Sequence, residues 1–126
     1  MANTIVWADI PVNDMDRARA FYSAVLQADI DLMPGMEDVA LLPGDPMGGE
    51  VSGDLVKSEN AKPGAGGLTI YLDSKGDPQG MLERAVAAGG QVAMPVSDMG
   101  EMVGFIGFFI DSEGNRIGVH APAKQG

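Results

Sequence analysis

The sequence predicts an α+β protein built of two βαβββ modules in tandem. Three observations carry this. Short apolar runs are punctuated by 18 Gly and 8 Pro, the mark of several strands with tight connections. Two amphipathic stretches each follow a strand-like run. The order of elements then begins again near residue 68, so the second half repeats the first.

The elements follow in order. Residues 4–12, TIVWADIPV, alternate: Ala8, Ile10 and Val12 share one face, Trp7 and Asp9 the other. Asn13 or Asp14 caps a helix over 14–27, because Ala18, Phe21, Tyr22, Val25 and Leu26 recur every three or four residues. Short strands are expected near 30–33, 38–42 and 50–57, divided by Pro34-Gly35 and by Pro43-Gly44-Asp45-Pro46; residues 58–67 are loop by composition. Leu68 to Asp73 then reads as a strand. Asp77 opens a helix through Leu82, Ala85, Val86 and Ala88, and Gly89-Gly90 ends it. Strands are expected near 91–95, 102–110 and 115–121.

The repeat is visible residue by residue. Asp14 and Asp77 stand 63 apart, and the turns Asp45–Val51 and Asp111–Ile117 stand 66 apart, each D-x-x-G before a strand. One such module has an open sheet and little core, so two fused copies make physical sense. The 126 residues therefore read as one domain, with module 1 at about 1–60 and module 2 at about 67–126.

Composition narrows the function. Eighteen Asp and Glu against eight Lys and Arg leave a net charge of −10, which argues against nucleic-acid or anionic-membrane partners. There is no cysteine, so disulfides, zinc–thiolate sites, iron–sulfur clusters and thiolate nucleophiles are excluded. No signal-like segment opens the chain and no apolar run reaches about 18 residues; a cytoplasmic protein is expected. Gly64-Ala65-Gly66-Gly67 precedes a strand, whereas a phosphate loop follows one.

Two motifs point to a family. D-x-x-R-A-x-x-F-Y-x-x-V-L (Asp14, Arg17, Ala18, Phe21, Tyr22, Val25, Leu26) and D-x-E-G-N-R-I (Asp111, Glu113 to Ile117) resemble the vicinal oxygen chelate superfamily. That group includes glyoxalase I, bleomycin-resistance proteins, extradiol dioxygenases and fosfomycin-resistance enzymes. The resemblance covers nearly the whole chain, including the duplication. It implies curved mixed sheets around a cavity, and a homodimer. It fixes no single activity, since the fold hosts many.

Enzymes of this superfamily usually hold a divalent metal, with ligands from the first and last strand of each module. The corresponding positions here are Trp7, Ser52, one of Thr69 to Tyr71, and Gly118. None is a good metal ligand, so no cofactor is expected and glyoxalase, dioxygenase and fosfomycin-type chemistry is disfavoured.

Other residues remain as candidates. His120 is the only histidine. Alternation turns Ile117 and Val119 to the helices and Gly118 and His120 to the cavity. His120 is thus either a polar strand end or a proton donor or acceptor, the one catalytic candidate. The 66-residue offset makes Asp54 its counterpart and a possible orienter of its imidazole. Trp7 and Tyr71, 64 apart, are corresponding rings that fill space left by a lost metal, wall a planar ligand, or do both. Asp9, Glu50 and Glu101 are cavity carboxylates or solvated edges. Asp9 shares a face with Trp7, and Glu101 lies in a loop that overhangs the cavity mouth in the functional reading.

The reading that follows is a metal-free protein binding a small apolar or aromatic molecule through Trp7, Asp9, Asp54, Tyr71, Glu101 and His120. Its alternatives are a metal-dependent lyase or isomerase of the glyoxalase type, and metal-free acid–base chemistry at His120 with Asp9, Asp54 or Glu101. Anionic ligands are disfavoured by the net charge unless Arg116 or Lys57 reaches the mouth.

Overall fold

A computed structural model describes residues 6–45 and 50–123. Helix formation follows the caps. The Asp14 side chain accepts from the Arg17 N–H at 3.0 Å and opens α1 (Met15–Leu26), which buries Met15, Ala18, Phe21, Tyr22 and Val25. Gln27, left-handed at φ 53°, closes it. Asp77 caps α2 (Pro78–Ala87) through the Gly80 N–H at 2.9 Å, with Pro78 at the first turn, where its missing N–H costs nothing. Gly89, at φ 107°, takes the chain out of that helix.

Strand β1 (Trp7–Pro11) runs parallel to β3 (Ser52–Val56), which pairs antiparallel with β2 (Val39–Leu41), giving the order β1-β3-β2. The second sheet repeats this with β4 (Ile70–Asp73), β5 (Gln91–Asp98), β6 (Phe105–Ile110) and β7 (Arg116–Ala121) in the order β4-β7-β6-β5. Both sheets are open.

The first module departs from expectation at one strand. In place of a strand near 30–33 there is a single bridge, Leu32 to Ala40. Ile30 drops into the core, but Pro34 and Gly35 (φ 79°) form the corners of a turn closed by Met36 N–H to Met33 C=O at 2.9 Å. That turn ends the pairing before a second bridge forms. Residues 4–5 of the expected first strand and 46–49 of the expected first turn lie outside the described residues.

One core joins the modules. Ile10, Leu55, Phe21 and Val25 of the first lie in the same buried cluster as Leu82, Phe109 and Val119 of the second. α1 packs on α2 and on β2 and β3, while α2 packs on β5, β6 and β7. Each helix therefore covers one face of its own sheet and leaves the other face, bare of helix, to its own side chains.

The D-x-E-G-N turn locks the modules together. Asp111 Oδ1 accepts from the N–H groups of Glu113 and Asn115, both at 2.8 Å. Glu113 then reaches the start of α1. Its Oε1 accepts from the Asn13 and Asp14 N–H groups at 2.8 Å, and Arg17 donates to the carboxylate at 2.7 and 3.0 Å. Burial alone would raise Glu113, but Arg17, the two N–H groups and the Ser112 hydroxyl outweigh it and hold its pKa at about 2. The Tyr22 hydroxyl donates to Asp111 Oδ2 at 2.5 Å, and Asn115 Nδ2 to the Pro11 carbonyl at 2.7 Å. No helix among the described residues is long and apolar enough to cross a membrane.

Candidate functional site

Strand alternation decides what the bare faces carry. Ile10, Leu55, Ile117 and Val119 point to the helices and are at most 2% exposed. Their neighbours Trp7, Asp9, Ser52, Asp54, Tyr71, Gly118 and His120 therefore point the other way.

The register shows the two faces to be copies of one layout. On the first sheet Trp7 pairs with Ser52, and Asp9 with Asp54. On the second Tyr71 pairs with Gly118, and Asp73 with His120. Trp7 thus corresponds to Tyr71, and Asp54 to His120, as the repeat implies. Each row extends one strand further: Leu41 beside Asp54, Phe108 beside Gly118, Ile106 beside His120.

On the second face the Tyr71 ring lies over Gly118. A Cβ at 118 would fall 2.4 Å from the ring's Cδ1, so no side chain fits there while the ring stays. Tyr71 also meets Phe108 at 5.6 Å between centroids, and the Arg116 guanidinium sits 3.7 Å from the Phe108 centroid. These partners bury Phe108 to 6% exposure although it stands on the bare side.

His120 is anchored to the turn between β5 and β6. Its Nε2 lies 2.7 Å from the Val103 carbonyl. A carbonyl only accepts, so the ring donates Nε2–H and leaves Nδ1 open. Glu101 is exposed in the same 101–103 turn. Asp54 and His120 are not partners: they stand on separate sheets, and no hydrogen bond joins them. The pairing inferred from the repeat reflects equivalent positions, not contact. Arg116 is engaged on Phe108, and Lys57 is exposed beyond the end of β3. Glu50 is exposed too, and its carboxylate accepts from the Asp45 N–H at 2.6 Å.

On the first face Asp54 is 8% exposed, and its Oδ1 is buried with no hydrogen-bond partner. Burial and the adjoining Asp9 carboxyl raise its pKa to about 6, against the pull of the Trp7 indole.

Asp73, Phe108, Leu41 and Ile106 on these faces escaped the sequence reading. Asp73 was reachable, because it lies one repeat offset from Asp9. Phe108 was not, because in FIGFFI both alternating sets are apolar. A shallow hollow of about 290 Å³ beside α1, lined by Asp16, Arg19, Ser23 and Asp31 among others, shares no residue with the two faces.

A divalent metal does not fit the positions where the resemblance puts its ligands. They carry an indole, a hydroxyl, a phenol ring and a glycine whose Cβ space that ring fills. Among the described residues no three His, Cys, Asp or Glu side chains cluster to replace them.

Comparison with known proteins agrees with this architecture. The chain superposes on a glyoxalase-related enzyme from Fulvimarina pelagi with a TM-score of 0.70 at 14% identity, over 94% of this chain and 88% of that one. For a glyoxalase/bleomycin resistance protein from Catenulispora acidiphila the values are 0.61 and 21%, over 91% and 95%. For a glyoxalase I variant from Zea mays they are 0.64 and 18%, over 94% of this chain and 44% of the longer maize chain. No curated protein sequence matches. The family profile matches residues 4–119, which takes in both modules and the turn that locks them. The chain belongs to the Glyoxalase/Bleomycin resistance protein/Dioxygenase superfamily.

Proposed function

We propose that the protein binds a small apolar or aromatic molecule on its helix-free sheet faces without a metal, and that two copies pair to enclose the site. The observation that carries this is the Tyr71 ring over Gly118, with Trp7 at the matching position of the other sheet. Aromatic surface stands where the resemblance would place metal ligands. Tyr71 is 50% exposed, so its ring is free to meet a ligand. The open sheets give a second copy a reason to dock.

The test is elemental mass spectrometry on untagged protein, with thermal melting after addition of Ni, Zn, Mn or Fe. The expected result is under about 0.1 metal per chain and no stabilisation, since a ligand of the native state must raise its melting point. Near one equivalent per chain or per dimer would overturn the reading and make lyase and dioxygenase assays the priority. Sedimentation velocity checks the dimer.

A further inference from the structure

We propose that Asp9 and Asp54, with the Trp7 indole beside them, form a binding site for a protonated amine carried by the ligand. This rests on the reading that the bare faces bind a small molecule, and it names the polar group that the molecule must present.

The argument starts from an unmet acceptor. Asp54 is more than nine-tenths buried, and its Oδ1 has no hydrogen-bond partner. Buried carboxylate oxygens are nearly always paired, because an unpaired one loses its hydration for nothing. The site therefore asks for a donor.

Its surroundings say which donor. Asp9 lies directly across the β1–β3 pairing, so any group that reaches Asp54 also meets a second carboxyl. From β2 the opposing residue is Leu41, which brings no charge. No basic side chain among the described residues forms an ion pair with either acid; Arg17 pairs with Glu113 at the start of α1. The other arginines are taken: Arg19 donates to the Ile30 carbonyl, Arg84 to the Val25 carbonyl, and Arg116 lies on Phe108. Among the described residues, no arginine or lysine is paired with Asp9 or Asp54.

An ammonium group meets these conditions best. It brings three donors and one positive charge, enough to satisfy both carboxyl groups at once. A hydroxyl brings one donor and no charge. Trp7 stands one step along the same face, where an indole attracts a cation or an attached ring. The net charge of −10 draws cations towards the surface.

Trp7 is the only tryptophan, so its emission reports on the site directly. The probes are 2-phenylethylamine, 2-phenylethanol and 3-phenylpropionate, which present the same ring with a cation, a neutral hydroxyl and an anion. Binding is read by Trp7 emission and by thermal melting at pH 7. The amine is expected to bind about tenfold or more tighter than the alcohol, as charge-assisted hydrogen bonds exceed neutral ones, and the acid not to bind. Asp54→Asn should bring amine and alcohol to near equality, and Asp9→Asn should weaken the amine selectively. Calorimetry near pH 6 in buffers of different ionisation heat should show proton release as the amine displaces the proton on Asp54.

Equal binding of amine and alcohol by the wild type would overturn the amine site and leave the small-molecule reading standing. Failure of all three probes on both readouts would overturn the amine site. A dimer that weakens on Asp54→Asn, with no amine binding, would overturn it in favour of a partner chain's donor. Neutral binding that persists in Asp54→Asn shows that this variant folds, and Asp9→Asn gives a second, independent reading.

Discussion

Glu113 and Asp54 are equally buried, at 8% exposure each, and sit in opposite electrostatic worlds. Glu113, in the seam between the modules, accepts two backbone N–H groups, a bidentate guanidinium and the Ser112 hydroxyl, and its pKa is held at about 2. Asp54, on the bare face of the first sheet, keeps an unpartnered oxygen beside a second carboxyl, and its pKa is raised to about 6. The difference lies in which donors the fold brings, not in burial. A satisfied buried acid holds structure together. An unsatisfied one costs stability.

The comparison can be broken most directly at Glu113. Glu113→Ala strands the donors it serves, and breaking a buried pair in this way costs about 3–5 kcal/mol. Urea denaturation at neutral pH measures it, and a loss under about 1 kcal/mol would mean that the seam is not what joins the modules. The acid limb of the stability curve carries the same information. A depressed pKa contributes stability that is present above the unfolded value, here 4.5, and lost as pH falls through about 2.

Asp54 has the opposite sign. Its raised pKa makes the native state relatively most stable below the unfolded value of 3.8, and that advantage is lost as pH rises through about 6. Asp54→Asn is therefore expected to raise stability at pH 7.5 by about 1–3 kcal/mol and to change little at pH 3.5. Melting curves at the two pH values check this. Destabilisation at pH 7.5 would show that donors such as the Trp7 indole outweigh the cost of burying the carboxylate.

The second bare face sharpens the comparison at smaller scale. Gly118→Ala forces the Tyr71 ring to move and is expected to cost about 1–3 kcal/mol. In a Tyr71→Ala background the same change should cost measurably less, and a double-mutant cycle reads the coupling. Additive effects would mean that ring and glycine are independent. The smallest effect is expected at Arg116→Ala, which removes a cation–π contact worth about 0.5–1 kcal/mol. A larger loss, read by denaturant midpoint, would place Arg116 in the seam's class rather than on a ligand face.

Much of the architecture was legible in the chain. Asp14 and Asp77 cap the helices as their positions suggest, and the alternation in WADIP sorts Trp7 and Asp9 from Ala8 and Ile10. The repeat offsets reproduce the strand register at Trp7–Ser52 and Tyr71–Gly118. The candidate site was legible only in part. Its face was clear, because period two assigns faces. Its partners were not: repeat equivalence places Asp54 and His120 at like positions, which says nothing of contact, and the structure ties His120 to Val103 instead.

The sequence by itself determined the helices, the faces of the strands and the duplication, because each rests on interactions within a few residues or on recurrence along the chain. Only the tertiary structure decided the shortened strand at Leu32, the docking of Glu113 on α1 and the orphaned oxygen of Asp54. Glu113 and Asn13 are 100 residues apart. Whether a buried acid finds donors depends on how distant segments meet, and periodicity carries no record of that meeting.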